Sequence, residues 1–232
     1  ANPTWPATLD FSPGGGNLNP LQLLEFSSDK TQTNRALINF SADYDILPSL
    51  NAKVTLGYDK ADSEKTAVVS GDITGVTNGT PGNGRGFIND LESTNTLFDF
   101  VLNYEEEFDN SNFTALLGYS YQKFDREGRN ASAFGFETTN LDEMSDVFRN
   151  DLNALAGVID RPYNQFYYSN AGFFADGLFP EIYEGAEFTV PSSVSLQSIT
   201  NGRFNNYDEL QSFFTRLNYS LLDKYLFTFT LR

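Results

Sequence analysis

Thirty-one carboxylates, 22 Phe and 12 Tyr carry most of the chemistry in this 232-residue sequence, because it contains no Cys and no His. That composition rules out a thiol nucleophile, a disulfide, a zinc site built on His or Cys, and a Ser-His-Asp triad. Carboxylates alone do not define a glycosidase pair, since many combinations exist on paper and only geometry selects one. Asp142, Glu143, Asp146 and Asp151 form a cluster of calcium-type oxygen ligands. Its spacing is not that of an EF-hand, and acids at a helix start also favour the helix dipole. No catalytic residue, cofactor or metal site is expected, and the chain does not read as an enzyme. Asn78-Gly79-Thr80 and Asn130-Ala131-Ser132 match the glycosylation sequon, a pattern short enough to arise by chance.

The stronger candidates for recognition are aromatic. Tyr163, Phe166, Tyr167, Tyr168, Phe173 and Phe174 are concentrated in one stretch, Tyr163–Phe179. Large rings anchor interfaces and stack on ligand faces, so these six are the expected substrate- or partner-binding residues. The competing reading has the same rings filling a small core within their own loop. A helix is predicted just before them. Asn140 is placed to cap it, with Glu143 three residues on, and Met144, Val147, Phe148 and Leu152 share one helical face.

The elements that position these residues are strands. Ala36, Ile38, Phe40, Ala42 and Tyr44 alternate with Arg35, Leu37, Asn39, Ser41 and Asp43, and side chains along a strand point alternately to opposite faces. The pattern recurs near 33–44, 50–59, 94–105, 112–124, 210–221 and 225–232. The six segments form three hairpins with short turns, separated by long loops at 60–93 and 125–207. Each predicted strand is about ten residues long, which suits a tilted membrane crossing. Tyr44, Tyr104, Tyr219 and Tyr225 lie near the short turns. Tyr58, Tyr119 and Tyr121 lie towards the long loops, as two interfacial belts require. Arg35, Asp43, Lys53, Asp59, Asp99 and Arg216 fall on the opposite, polar face. The fold class expected is all-β, an antiparallel up-and-down transmembrane β-barrel segment with two long extracellular loops. A soluble β-rich extracellular ligand- or glycan-binding domain is the alternative, because one-sided sheets alternate in water too.

A net charge of −16 opposes binding to a phosphate backbone, so no nucleic acid partner is expected. No run approaches the about 18–20 apolar residues of a membrane helix. Six strands fall short of even the smallest usual barrel of about eight, so the pattern describes part of a larger wall.

Several blocks resemble one family. They are Asn19-Pro20-Leu21-Gln22-Leu23-Leu24-Glu25, Asn34-Arg35, Leu50 to Tyr58, Phe113 to Gln122, and Phe213 to Ser220 continuing to Asp223 through Arg232. Their order and spacing resemble the SusC/RagA family of TonB-dependent outer-membrane transporters. The resemblance implies a barrel of about 22 strands with an N-terminal plug. It also implies import of oligosaccharides or peptides, a SusD-like lipoprotein as lid, the cell outer membrane as location, and energy from the TonB complex acting through a plug outside these 232 residues. The expected partners are therefore the lipid bilayer, that lipoprotein, the TonB complex and an oligosaccharide or peptide substrate.

Overall fold

The computed structural model describes residues 24–72, 84–158, 166–170, 177–179, 190–222 and 224–232. The block at 19–23, the sequon at Asn78, Tyr163, Phe173, Phe174 and the turn residue Asp223 lie outside the described residues. In chain order the elements are β1 (Ser27–Leu47), β2 (Leu50–Val69), β3 (Arg85–Phe108), β4 (Ser111–Phe134), α1 (Leu141–Val158), β5 (Phe166–Ser169), β6 (Gly177–Phe179), β7 (Ser198–Leu221) and β8 (Tyr225–Leu231). The strands form one sheet in the order β1-β2-β3-β4-β7-β5-β6, with β8 also paired to β7. β7 pairs antiparallel with β5 from Ser198 to Asn201 and with β8 from Thr215 to Leu221. The fold is the expected antiparallel all-β arrangement of hairpins. No described helix is long and apolar enough to cross a membrane.

The strands outrun their sequence signal. β2 continues to Val69, β3 begins at Arg85, β4 reaches Phe134 and β7 begins at Ser198, so much of 60–93 and 125–207 is ladder rather than loop. The apolar alternation stops near Asp59 because Lys60, Asp62 and Glu64 occupy the alternate positions that follow. The backbone hydrogen bonds do not depend on those side chains. β5 and β6 are short strands for which the sequence gives no separate signal.

The chain divides into two compact units. One comprises 1–32, 63–90 and 128–204; the other comprises 33–62, 91–127 and 205–232. Among the described residues, every fully buried apolar side chain belongs to the first unit. α1 presents Met144, Phe148, Leu152 and Leu155, spaced to share one helical face. That face packs on Val68, Ile88, Ala131, Ala133 and Ile199 from alternate positions of the sheet. Phe148 meets Phe136 edge-on at 6.3 Å. Its ring lies where a Cβ on Gly86 would approach to 2.7 Å, so a larger residue at 86 would displace it. Asn140 caps α1 as expected, its Oδ1 accepting from the N–H groups of Asp142 and Glu143 at 3.0 and 3.1 Å. The capping box is not completed. The Glu143 carboxylate accepts instead from the Thr138 hydroxyl at 2.7 Å.

Arg149 ties α1 to the sheet through polar contacts. Its Nε donates to Thr66 at 2.8 Å, and its two terminal nitrogens donate to Asp90 at 3.2 and 3.1 Å. Asp90 also accepts from Arg129 Nε at 2.8 Å, and Arg129 reaches Asn153 of α1 at 2.9 Å. One carboxylate thus satisfies two guanidiniums in a half-buried setting, where removal of one partner costs more than at the surface.

The second unit carries most of the exposed large apolar residues, including Leu37, Phe40, Leu56, Leu117, Phe213, Leu217, Phe227 and Phe229. Its turn between β7 and β8 holds Leu222 at φ 55°, a left-handed conformation that a branched side chain resists. The Leu222 N–H donates to the Asn110 carbonyl at 2.7 Å, which fixes the turn. Leu222→Gly removes the steric conflict while keeping that N–H. It is expected to raise the folded state's stability by about 1 kcal/mol in a denaturant titration.

Candidate functional site

In the first unit, alternation sorts residues onto two faces of the sheet. Thr66, Val68, Gly86, Ile88, Ala131, Ala133, Ile199 and Asn201 are buried, on the face that α1 covers. Their neighbours Arg85, Phe87, Asn89, Asn130 and Thr200 are on the opposite face, where Phe87, Asn89, Asn130 and Thr200 are exposed. The Arg85 guanidinium lies over the Phe87 ring, 5.7 Å from its centre. The Asn89 amide donates to the Asn130 side-chain oxygen across β3 and β4.

The predicted aromatic residues divide along the same lines. Phe166 and Tyr168 are buried and join the core beside α1. Tyr167 pairs in register with Thr200 and is half-buried on the other face. The structure therefore places two of the described predicted rings in packing and one on the open face. Arg85, Phe87, Asn89 and Asn130 escaped the sequence reading because they fall in segments read as loop or against a sequon. The run Arg85-Gly86-Phe87-Ile88-Asn89 does alternate, and that was the available signal.

The acidic residues do not converge. Asp142 accepts from Lys30 at 2.6 Å, which holds the Lys30 ammonium above its ordinary pKa, and Glu143 is engaged by Thr138. Asp151 is only 4 % exposed and accepts from the Ser195 N–H at 2.8 Å, the Ser195 hydroxyl at 3.2 Å and the Leu196 N–H at 2.9 Å. Among the described residues no group of three acids is placed to hold a metal ion. Asp151 acts as a clasp between α1 and the segment returning to β7. Asp151→Ala would strand backbone donors beneath the helix and is expected to cost about 3 kcal/mol, whereas Asp151→Asn retains an acceptor and should cost roughly half as much. Hydrogen exchange at the Ser195 and Leu196 amides would show the difference.

The second unit has two contrasting faces. On one, Phe98, Tyr119 and Phe213 form a row across β3, β4 and β7, with ring centres 6.1 and 4.8 Å apart. Tyr104 and Phe113 pair below them at 6.2 Å. The other face is a polar ladder. Arg35 grips Asp59 through two bonds of 2.8 and 2.6 Å, Ser120 donates to Asp99 at 2.5 Å, Gln122 to Asn95 at 3.3 Å, and Asn218 to Thr114 at 3.0 Å. Asn51 donates to both Asp43 and Asp45. The Phe214 ring lies over Gly118, where a Cβ would come within 2.1 Å of it. Apolar rings gather on one face, with Phe213 69 % exposed and the others half-buried against one another, while hydrogen-bonding groups satisfy one another on the reverse side. That suits a wall between hydrocarbon and a polar interior.

No protein-family model matches the chain. It is 29 % identical over 214 residues to the TonB-dependent receptor P3 of Formosa agariphila, covering 92 % of this chain and 16 % of that protein. It is 25 % identical over 236 aligned positions to the TonB-dependent receptor SusC of Bacteroides thetaiotaomicron, covering 100 % of this chain and 18 % of that protein. The chain thus spans under a fifth of the length of these curated relatives. Among solved structures it superposes on the RagAB peptide transporter with a TM-score of 0.57 at 16 % identity, covering 90 % of this chain and 18 % of that one. The closed-closed state of the RagAB peptide importer gives 0.56 at 17 % identity, over 89 % of this chain and 18 % of the other.

Proposed function

We propose that this chain, SusC/RagA-like over nearly all of its length and placed in the outer membrane, forms part of the wall of a TonB-dependent active transporter. In this reading the transporter imports oligosaccharides or peptides beneath a SusD-like surface lipoprotein, and the TonB complex acts through a plug outside these residues. The observation that supports it most is the contrast between the units. One buries an apolar core against a helix, as in water. The other leaves its aromatic and aliphatic side chains outward. An exposed apolar surface of that extent belongs against lipid or a partner rather than water. Transport, not catalysis, is the proposed role. Tyr167, with Tyr163, Phe173 and Phe174, is proposed to meet the lid or substrate, while Phe166 and Tyr168 hold the surrounding strands in place.

Co-purification tests the lid assignment. Replacing residues 136–197 by a short turn within the whole receptor should leave outer-membrane insertion intact and abolish recovery of the lipoprotein. Undiminished recovery would refute that interface. The alternative of a soluble binding domain is tested by removing detergent. The wall segment should aggregate or partition into membrane, and a monodisperse species in buffer would contradict the transporter reading.

A further inference from the structure

We infer that the uncovered face of the first unit's sheet holds a subsite for an acidic sugar, with Arg85 binding its carboxylate, Phe87 supplying the stacking ring, and Asn89 and Asn130 bonding its hydroxyls. The inference rests on the import reading and specifies a ligand class for it.

Charge singles out Arg85. Acids outnumber bases by 31 to 15 in this chain. In the same unit Lys30, Lys65, Arg129 and Arg149 each reach a carboxylate. Arg85 has no carboxylate partner among the described residues. It lies over Phe87 instead, and its Nε is buried without an acceptor. The terminal nitrogens of a guanidinium form a planar fork that matches a carboxylate through two parallel bonds.

Phe87 is 43 % exposed, so ring surface remains open beside the cation. Asn89 is two residues further along the same face, and strand geometry places Arg85 and Asn89 about 13 Å apart along β3. That distance suits a short oligosaccharide better than a single ring. The bond from Asn89 to Asn130 orients both amides, leaving the Asn89 oxygen as acceptor and the Asn130 nitrogen as donor. Sugar hydroxyls both donate and accept, so they fit this pair. A peptide would more readily add to a free strand edge. β3 and β4 are interior to the sheet and offer none here.

The test uses the whole receptor containing this chain, in detergent, with calorimetric titration of trigalacturonate, maltotriose and triglutamate. Trigalacturonate should bind at least about tenfold more tightly than maltotriose. Arg85→Gln should weaken trigalacturonate by about ten- to a hundredfold and leave maltotriose unchanged, as expected for loss of charge-assisted bonds. Arg85→Lys keeps the charge without the fork and should fall between. Phe87→Ala should weaken both sugars. The inference is overturned if correctly inserted receptor does not bind trigalacturonate, if Arg85→Gln leaves that binding unchanged, or if triglutamate binds more tightly. Failure to insert into the outer membrane would instead count against the import reading, so the two failures are distinguishable.

Discussion

Replacing Leu117 with arginine is expected to destabilise the membrane-inserted form by about 2–4 kcal/mol, although Leu117 is 54 % exposed and has no apolar core around it. In water the same change at an exposed site would fall within about 0.5 kcal/mol. The difference arises because a guanidinium at that position would face hydrocarbon, where the leucine is at no disadvantage. Gln122→Arg on the same strand provides the control. Gln122 is on the polar face and makes one long bond, 3.3 Å, to Asn95, so its replacement should cost about 1 kcal/mol or less. Denaturant titration of the receptor in phospholipid bilayers measures both. Equal, small effects would place Leu117 in water.

Phe148→Ala is expected to cost the first unit about 3–5 kcal/mol, the range for removing a fully buried aromatic ring. The site is poorly able to collapse. Phe136 approaches edge-on, and Gly86, which faces both rings, has no side chain to fill the space. The loss should be local, because the second unit has none of this core. Limited proteolysis should therefore cut the first unit of the variant while the strands of the second stay protected. Gly86→Ala probes the same contact from the other side and should cost about 1–3 kcal/mol by overpacking.

The strands β1, β2, β3, β4, β7 and β8 were legible because each keeps a continuous apolar face over part of its length. Leu50, Ala52, Val54, Leu56 and Tyr58 declare β2 without help from any other part of the chain. Beyond Asp59 the same strand became invisible, since Lys60, Asp62 and Glu64 interrupt the pattern before Thr66 and Val68 resume it beneath α1. The helix was legible through Asn140 and the Met144–Phe148–Leu152 spacing. Its attachment through Arg149 to Asp90 and Thr66 was not, because those partners are 59 and 83 residues away. Composition marked Phe166, Tyr167 and Tyr168 as one aromatic patch. Only the pairing of β5 with β7 divides them, turning the outer two into the core and the middle one to the open face. Arg85 was hidden because its alternating run, Arg85 to Asn89, is only five residues long and adjoins a Gly- and Asn-rich stretch.

The outward face of β4 provides the most direct test of where the lipid is. These 232 residues contain no Cys, so once any cysteine elsewhere in the receptor is replaced, single cysteines at positions 113 through 121 can each carry a nitroxide without background labelling. In membranes, accessibility to oxygen should peak at 113, 115, 117, 119 and 121. Accessibility to a water-soluble nickel complex should be lowest at those same positions, giving two opposed profiles of period two. If the nickel complex reached positions 115, 117 and 119 as readily as it reaches exposed sites in the first unit, the face would be in water and the membrane wall would be refuted.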